Sequence, residues 1–290
     1  MLLSRDNLPP QGFGAMRLRE ESSGDPDRDP VAVIHRALDA GVTMVDTADA
    51  YGNEELVGRA ISGRRDEVIL ASKFGLVWGE GRNWSVRADP VYVRQACEAS
   101  LRRLNVEVID LYYLHHRSDE TPIEETVAAM ADLVEQGKIR SLGLSNITED
   151  DLRRANAIHP ITAVQESWSL VHREVEQLLP AVRELGVIAV GHSPTGHGLL
   201  HAPEGGRRPG NTAPASLQRA LDDIAATHDA TPGQVALAWV HHQSQRWKLP
   251  VVPLPGTTRI SHLDANIAAA GLALSATDLE RLDVLGARPA

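Results

Sequence analysis

The feature that most constrains this chain is an alternation of short apolar runs with longer stretches of helical periodicity. Parallel strands are buried on both faces and need a crossover between them, so this alternation is the pattern of a parallel sheet wound with helices. About eight strand–helix units can be counted, and their strand candidates are Gln11–Gly14, Thr43–Asp46, Val68–Lys73, Val108–His115, Ile139–Ser145, Ala163–Gln165, Ile188–His192 and Val251–Leu254. Proline at the first helical position opens helices at Asp89-Pro90 (Val91–Leu104), Thr121-Pro122 (ending near Gly137) and Thr231-Pro232 (Gly233–His242), and a further helix spans Glu174–Gly186. Two excursions interrupt the spacing, Gly75–Pro90 after the third strand and Pro194–Ala215 after the seventh. At 290 residues the chain has the length of one (β/α)8 TIM barrel, and the expectation is a single domain over 1–290, with both excursions on the C-terminal face.

Composition narrows the function. With 42% hydrophobic and 23% charged residues the chain can bury a sizeable core, which argues against disorder. It carries 29 basic against 39 acidic residues, a net charge of −10, and no basic run, so no nucleic-acid partner is expected. The single cysteine, Cys97, lies in a helical pattern and reads as a buried small hydrophobe in a reducing compartment. The first residues lack the apolar core of a signal peptide and no stretch is apolar enough to span a bilayer, so the expectation is a soluble, cytoplasmic protein without a membrane partner, monomeric or weakly homo-oligomeric.

Three consecutive strand candidates end in an ionisable residue: Asp46, Lys73 and His115, with Tyr51 shortly after the first of them. In a parallel sheet these ends lie side by side, and the chemistry such a cluster supports is proton transfer. A tyrosine hydroxyl titrates near 10, and a neighbouring ammonium is expected to pull that value down. Asp46 would hold Lys73 charged and oriented, while a histidine on the next strand would donate a hydrogen bond to a substrate oxygen. The pairs His115-His116 and His241-His242 lack any spacing typical of zinc sites, so no metal is expected.

The chain resembles the aldo-keto reductase family from about Gly12 to about Leu285. The resemblance rests on Gly12-Phe13-Gly14-Ala15-Met16, on Asp46-Thr47-Ala48-Asp49-Ala50-Tyr51-Gly52 with the following Asn53-Glu54-Glu55-Leu56-Val57-Gly58, and on Asp110-Leu111-Tyr112-Tyr113-Leu114-His115. Gly137-Lys138-Ile139-Arg140 running to Gly143-Leu144-Ser145-Asn146, and Val252-Pro253-Leu254-Pro255-Gly256-Thr257, complete it in the family's order. It implies a barrel that reduces aldehydes or ketones with a freely dissociating NADPH, through a tetrad falling on Asp46, Tyr51, Lys73 and His115. His115 rather than His116 is implied, because adjacent strand residues face opposite ways and the spacing from Asp110 fits only the former. The competing class is a nucleotide-binding regulatory or auxiliary subunit on the same fold with little turnover, against which the intact tetrad argues.

The resemblance also implies cofactor contacts. Ser145, Asn146 and Gln165 fall where the nicotinamide carboxamide is held, with Asp46, Gly14 and Met16 beside it. His192, Ser193, Pro194, Gly196, Gly198 and Leu199 follow the seventh strand. Gly256, Thr258, Arg259, His262 and Asn266 fall where the adenosine half and its 2′-phosphate bind, and a charge-assisted contact from Arg259 favours NADP(H) over NAD(H). This chain departs from the family at His192, where an aromatic residue commonly stacks on the nicotinamide, and at Ala265, where an acidic residue commonly contacts adenine. It also lacks the lysine-serine phosphate clamp of one large branch, which groups it with bacterial-type branches. Met16, Trp78, Trp84 and Trp168, with the Pro194–Ala215 excursion, are expected to line a pocket for a small-molecule carbonyl compound with apolar bulk. Trp239 and Trp247 read as helix packing.

Overall fold

Short strands open the chain: β1 (Gly12–Gly14), β2 (Met44–Asp46) and β3 (Ile69–Phe74). They are followed by a hairpin of β4 (Leu76–Trp78) and β5 (Trp84–Val86), and then by β6 (Leu111–Leu114), β7 (Leu142–Ser145), β8 (Ile161–Ser167), β9 (Ile188–His192) and β10 (Val251–Leu254). In the computed structural model, which describes residues 3, 4, 6–20, 24–79, 81, 83–201 and 213–286, eight of these form one sheet in the order β1-β2-β3-β6-β7-β8-β9-β10. Every pairing in it is parallel. The sheet curls into a nearly closed (β/α)8 barrel, and the ends meet where the Gly14 N–H donates to the Pro255 carbonyl at 2.9 Å. Only glycine fits at 256, because a Cβ there would stand 2.5 Å from the Gly14 carbonyl oxygen.

Alternation along each strand sorts side chains into two cores. Met44, Ile69, Leu111, Tyr113, Val190, Val252 and Leu254 fill the barrel interior together with Leu3. Their neighbours Val45, Leu70, Tyr112 and Leu114 point outward into the larger core beneath the helices.

The helices are α1 (Pro30–Asp39), α2 (Glu54–Ile61), α3 (Pro90–Leu104), α4 (Ile123–Glu135), α5 (Glu149–Ile158), α6 (Leu179–Leu185), α7 (Ala215–Thr227), α8 (Pro232–Trp247), α9 (Ile260–Ala269) and α10 (Ala276–Gly286). Their boundaries follow local chemistry. Asp89 caps α3 ahead of Pro90, and Thr231 forms a capping box with Gln234 at the start of α8. Cys97 is buried on α3, while Trp239 is buried on α8 and Trp247 packs against the same core.

One expected helix divides. The stretch 174–186 is a 3-10 turn at Glu174–Gln177 followed by α6, because Pro180 at the start of α6 has no N–H to continue the earlier turn. Gly186 ends α6 at φ 75° as its C-cap. The excursion after β3 is not irregular but carries the β4–β5 hairpin. Of the excursion after β9, Gly196–Gly198 form a 3-10 turn, and residues 202–212 lie outside the described residues.

Candidate active site

The parallel register brings the ends of β2, β3 and β6 together, with Asp46 opposite Ala71 and Lys73 opposite Tyr113. Lys73 is 1% exposed and Asp46 2% exposed, so the charges have no solvent to share and must satisfy each other. The Lys73 ammonium pairs with Asp46 Oδ1 and donates to the Thr47 carbonyl at 3.0 Å. Gln165 Nε2 donates to the other carboxylate oxygen at 2.8 Å, so both oxygens of Asp46 are satisfied.

Tyr51 sits on the 3-10 turn Asp49–Tyr51 that follows β2, and Gly52 at φ 67° ends the turn in the left-handed region. Its ring centre lies 5.0 Å from Lys73 Nζ and 5.6 Å from the His115 ring, which meets it edge-on at 84°. Sequence reasoning overlooked the brace behind this turn. Thr47 donates to Asn53 Oδ1 at 2.7 Å, and Asn53 Nδ2 donates to the Ala15 carbonyl at 2.7 Å, tying the Tyr51 segment to the end of β1. Asn53 was visible only as a residue inside a motif, since the side-chain bridge spans separate loops. His116 turns away, with Nδ1 on the Arg117 carbonyl at 2.9 Å and its ring 5.2 Å from Trp84.

Electrostatics assign the protons. Burial opposes the charge on Lys73, but Asp46 and then Tyr51 outweigh it, so the amine is held above its ordinary range as an ammonium. The expectation of a depressed Tyr51 is corrected. Burial is the largest influence and raises the phenol above 10, and the pull of Lys73 in the other direction does not overcome it. Burial, then Lys73, pushes His115 down to about 2, which makes it a neutral imidazole. Its Nδ1 is buried without a hydrogen-bond partner among the described residues.

These shifts predict acid behaviour. Burial and then Lys73 lower His192 to about 3, and burial lowers His241 to about 4. Together with His115 they stay neutral in the fold while unfolded imidazoles take up protons below about 6.5. Their stabilisation is therefore complete above that pH and declines below it, by up to about 1.36 kcal/mol per unit for each group. Asp49 and Glu166 oppose the trend, because burial raises both to about 7 and they favour the fold while protonated. That contribution fades as pH rises from roughly 4.5 toward 7. The melting temperature is expected to change gently between about pH 6.5 and 4.5, then fall steeply once the histidines act unopposed. A melting curve unchanged down to about pH 3 would reject the neutral histidines.

The expected cofactor positions gather on the same face. Ser145 pairs in register with Gln165 across β7 and β8. Asn146, at φ 53°, donates to the His115 carbonyl at 2.9 Å and to Ser145 Oγ at 3.0 Å. Glu166 accepts from the Ile147 N–H at 3.2 Å and so braces this turn from β8. His192 ends β9, its Nδ1 3.0 Å from Ser193 Oγ, and Ser193 lies at φ 53°. Pro194 is buried, Gly196 and Gly198 take φ of 61° and 96°, and Leu199 closes their turn. Gly14 and Gly256 meet at the barrel seam, and Thr258 follows on the same connection. Arg259 holds the N-cap position of α9, which carries His262 and Asn266. Arg259 is also ion-paired with Asp27 at 3.0 Å, a partner that no local pattern in the sequence announces.

The mouth is aromatic. Met16, Trp78 and Trp84 are 39%, 57% and 51% exposed, and the two tryptophans face each other across the β4–β5 hairpin. Trp78 Nε1 donates to the Ala50 carbonyl at 3.2 Å, which anchors the hairpin beside Tyr51. Trp168 departs from expectation. It is fully buried in the core beneath β8 and β9, where Gly191 leaves room for its indole, and it does not reach the mouth. Among the described residues no helix is long and apolar enough to cross a membrane.

Comparison with known proteins resolves the lineage. The model of the aldo/keto reductase family matches residues 11–287. The chain belongs to the aldo/keto reductase family. It is 40% identical over 310 residues to a probable aldo-keto reductase 1 from Glycine max, covering 96% of this chain and 87% of that protein. Among solved structures it is similar to the glycerol dehydrogenase AKR11B4 from Gluconobacter oxydans, with a TM-score of 0.82 at 26% identity over 95% of this chain and 90% of that one. It is also similar to an aldo/keto reductase from Klebsiella pneumoniae in complex with NADP and acetate, with a TM-score of 0.77 at 31% identity over 97% and 93% of the two chains. The buried Lys73–Asp46 pair and Tyr51 thus lie together at one end of an aldo/keto reductase barrel.

Proposed function

We propose that this aldo/keto reductase, read as one barrel domain, interconverts aldehyde or ketone carbonyls and alcohols, with NADP(H) as cofactor in preference to NAD(H). The observation that carries the reading is the protonated Tyr51 phenol held between a buried Lys73–Asp46 ion pair and a neutral His115. The family's Klebsiella pneumoniae member with NADP bound supports the choice of cofactor.

The residues present suit a dinucleotide. Asn146 and Ser193, both at φ 53°, place polar side chains at strand ends where backbone strain accompanies function. Arg259 beside the α9 N-terminus supplies a cation and N–H groups of the kind a phosphate takes. Ser145, Asn146 and Gln165 would orient the nicotinamide, with His192 against it, and Arg259, Thr258, His262 and Asn266 would hold the adenosine half. Bound NADPH supplies a hydride to the carbonyl carbon. Tyr51 donates its phenolic proton to the carbonyl oxygen, and Lys73 stabilises the negative charge left on the phenol oxygen. Asp46 and the Thr47 carbonyl fix Lys73 in place, and His115, neutral and able to donate from one ring nitrogen, orients the substrate oxygen. Met16, Trp78 and Trp84 offer apolar bulk to the rest of the substrate.

Fluorescence titration with NADPH and NADH, followed by absorbance decay of the reduced cofactor with a panel of aldehydes, ketones and quinones, tests the reading. Binding with turnover supports it, and absence of binding by either nucleotide rejects it. Arg259→Ala is expected to weaken NADPH about tenfold through loss of a charge-assisted contact and to leave NADH nearly unchanged. Equal losses for both nucleotides would remove Arg259 from the 2′-phosphate.

A further inference from the structure

The connection between β1 and α1 reads Gly24-Asp25-Pro26-Asp27-Arg28-Asp29-Pro30, with acids at alternate positions. Two of them serve locally. Asp25 accepts from the Asp27 N–H at 3.1 Å and starts the short turn Pro26–Arg28. Asp29 caps α1 by accepting from Val31 N–H at 2.9 Å and Ala32 N–H at 2.8 Å. The side chain of Asp27 instead reaches α9, at the far end of the chain. Arg259 Nη1 donates to its Oδ2 at 3.0 Å, Ser261 Oγ donates to the same oxygen at 2.9 Å, and the Ser261 N–H donates to Oδ1 at 2.8 Å. Asp25 adds a second carboxylate 3.7 Å from the same Arg259 nitrogen. Arg259 stands at the N-cap position of α9 without a capping side-chain bond of its own, so Asp27 performs that task from another loop.

A guanidinium, a hydroxyl and a helix N–H converging on one group form the donor set that recognises a phosphate monoester. In this protein the set closes on a carboxylate. We infer that Asp27 sets the margin by which the chain favours NADPH over NADH, because its carboxylate holds Arg259 and the 2′-phosphate must take that arginine from it.

The inference rests on the proposed role of Arg259 and adds a competitor to it. Hydrogen bonds from Ser261 lead the influences that hold the Asp27 carboxyl below its ordinary range, so it is ionised at any working pH. The side chains of Arg259 and Asp27 are 33% and 28% exposed, which makes the pair a partly solvated one of modest strength that an arriving phosphate can displace. An ionised carboxylate left beside a phosphate also repels it. NADH has no 2′-phosphate, so neither the competition nor the repulsion acts on it. Asp27 is therefore a specificity-determining residue, lowering affinity for one nucleotide and not the other.

Asp27→Asn tests this, since asparagine keeps an oxygen for the Ser261 N–H and is an equally good N-cap while losing the charge. NADPH is expected to bind roughly fivefold tighter by fluorescence titration, with NADH within about twofold of wild type. In an Arg259→Ala background the same substitution is expected to raise the NADPH to NADH ratio by less than it does in the wild type, because the competition for the arginine is gone and only the repulsion is left to relieve. Should Asp27→Asn fold poorly, Asp27→Ser, another capping residue, carries the same expectation. An unchanged or weaker NADPH affinity, or a parallel shift of both nucleotides, overturns the inference. Arg259→Ala alone tells where the failure lies. A loss selective for NADPH there, with Asp27→Asn silent, rejects Asp27 alone, whereas equal losses reject the role of Arg259 beneath it.

Discussion

Tyr51→Phe is expected to lower carbonyl reduction by about two to four orders of magnitude, the usual worth of a positioned general acid, while leaving NADPH affinity close to wild type. Phenylalanine keeps the ring that packs edge-on against His115 and sits 5.0 Å from the Lys73 ammonium, so the substitution deletes the hydroxyl and little else. The loss should therefore fall on kcat with KM nearly unmoved. The wild-type pH profile carries the same information. Because burial raises the phenol above 10, Tyr51 remains protonated through neutral pH, and reduction should hold its rate into the alkaline range. Alcohol oxidation needs the phenolate as base and should climb with pH across that range. Stopped-flow traces of NADPH consumption during carbonyl reduction and of NADPH formation during alcohol oxidation check the two limbs. Wild-type rates in the variant would remove Tyr51 from the chemistry.

The barrel and the gathering of Asp46, Lys73 and His115 at one end of it were legible in the sequence for the same reason. A parallel strand is a short apolar run whose C-terminal end opens on the mouth, so polar residues at or within one residue of three successive strand ends, Asp46, Lys73 and His115, mark both the sheet and the place where they gather. The strands found differ from those expected by a few residues at their ends, as in Leu111–Leu114 against Val108–His115. What was not legible depends on contacts between segments far apart in the chain. Trp168 reads as a pocket aromatic by position, but the space beside Gly191 takes its indole into the core. The sign of the Tyr51 shift could not be read from the neighbouring lysine, because depth of burial decides it. Asp27 reads as one of three loop acids until the fold brings α9 against it.

Lys73→Met is expected to cost stability and activity together, and the two losses can be separated. The substitution leaves Asp46, 2% exposed, with the Gln165 amide but no cation, and a buried charge deprived of its partner costs about 3 to 5 kcal/mol. Asp46→Asn should cost a similar amount, by stranding the ammonium with the Thr47 carbonyl and Tyr51 as its remaining neighbours. The double variant Asp46→Asn/Lys73→Met leaves no ion in the site, so it should unfold in urea at a higher concentration than either single variant. Its turnover should nevertheless remain as low as that of Lys73→Met, because the ammonium is the strongest influence drawing Tyr51 toward its phenolate and no apolar residue replaces it. A double variant no more stable than the singles would mean that the pair is not charged in the fold. Recovery of turnover along with stability would mean that Lys73 serves the barrel and not the proton transfer.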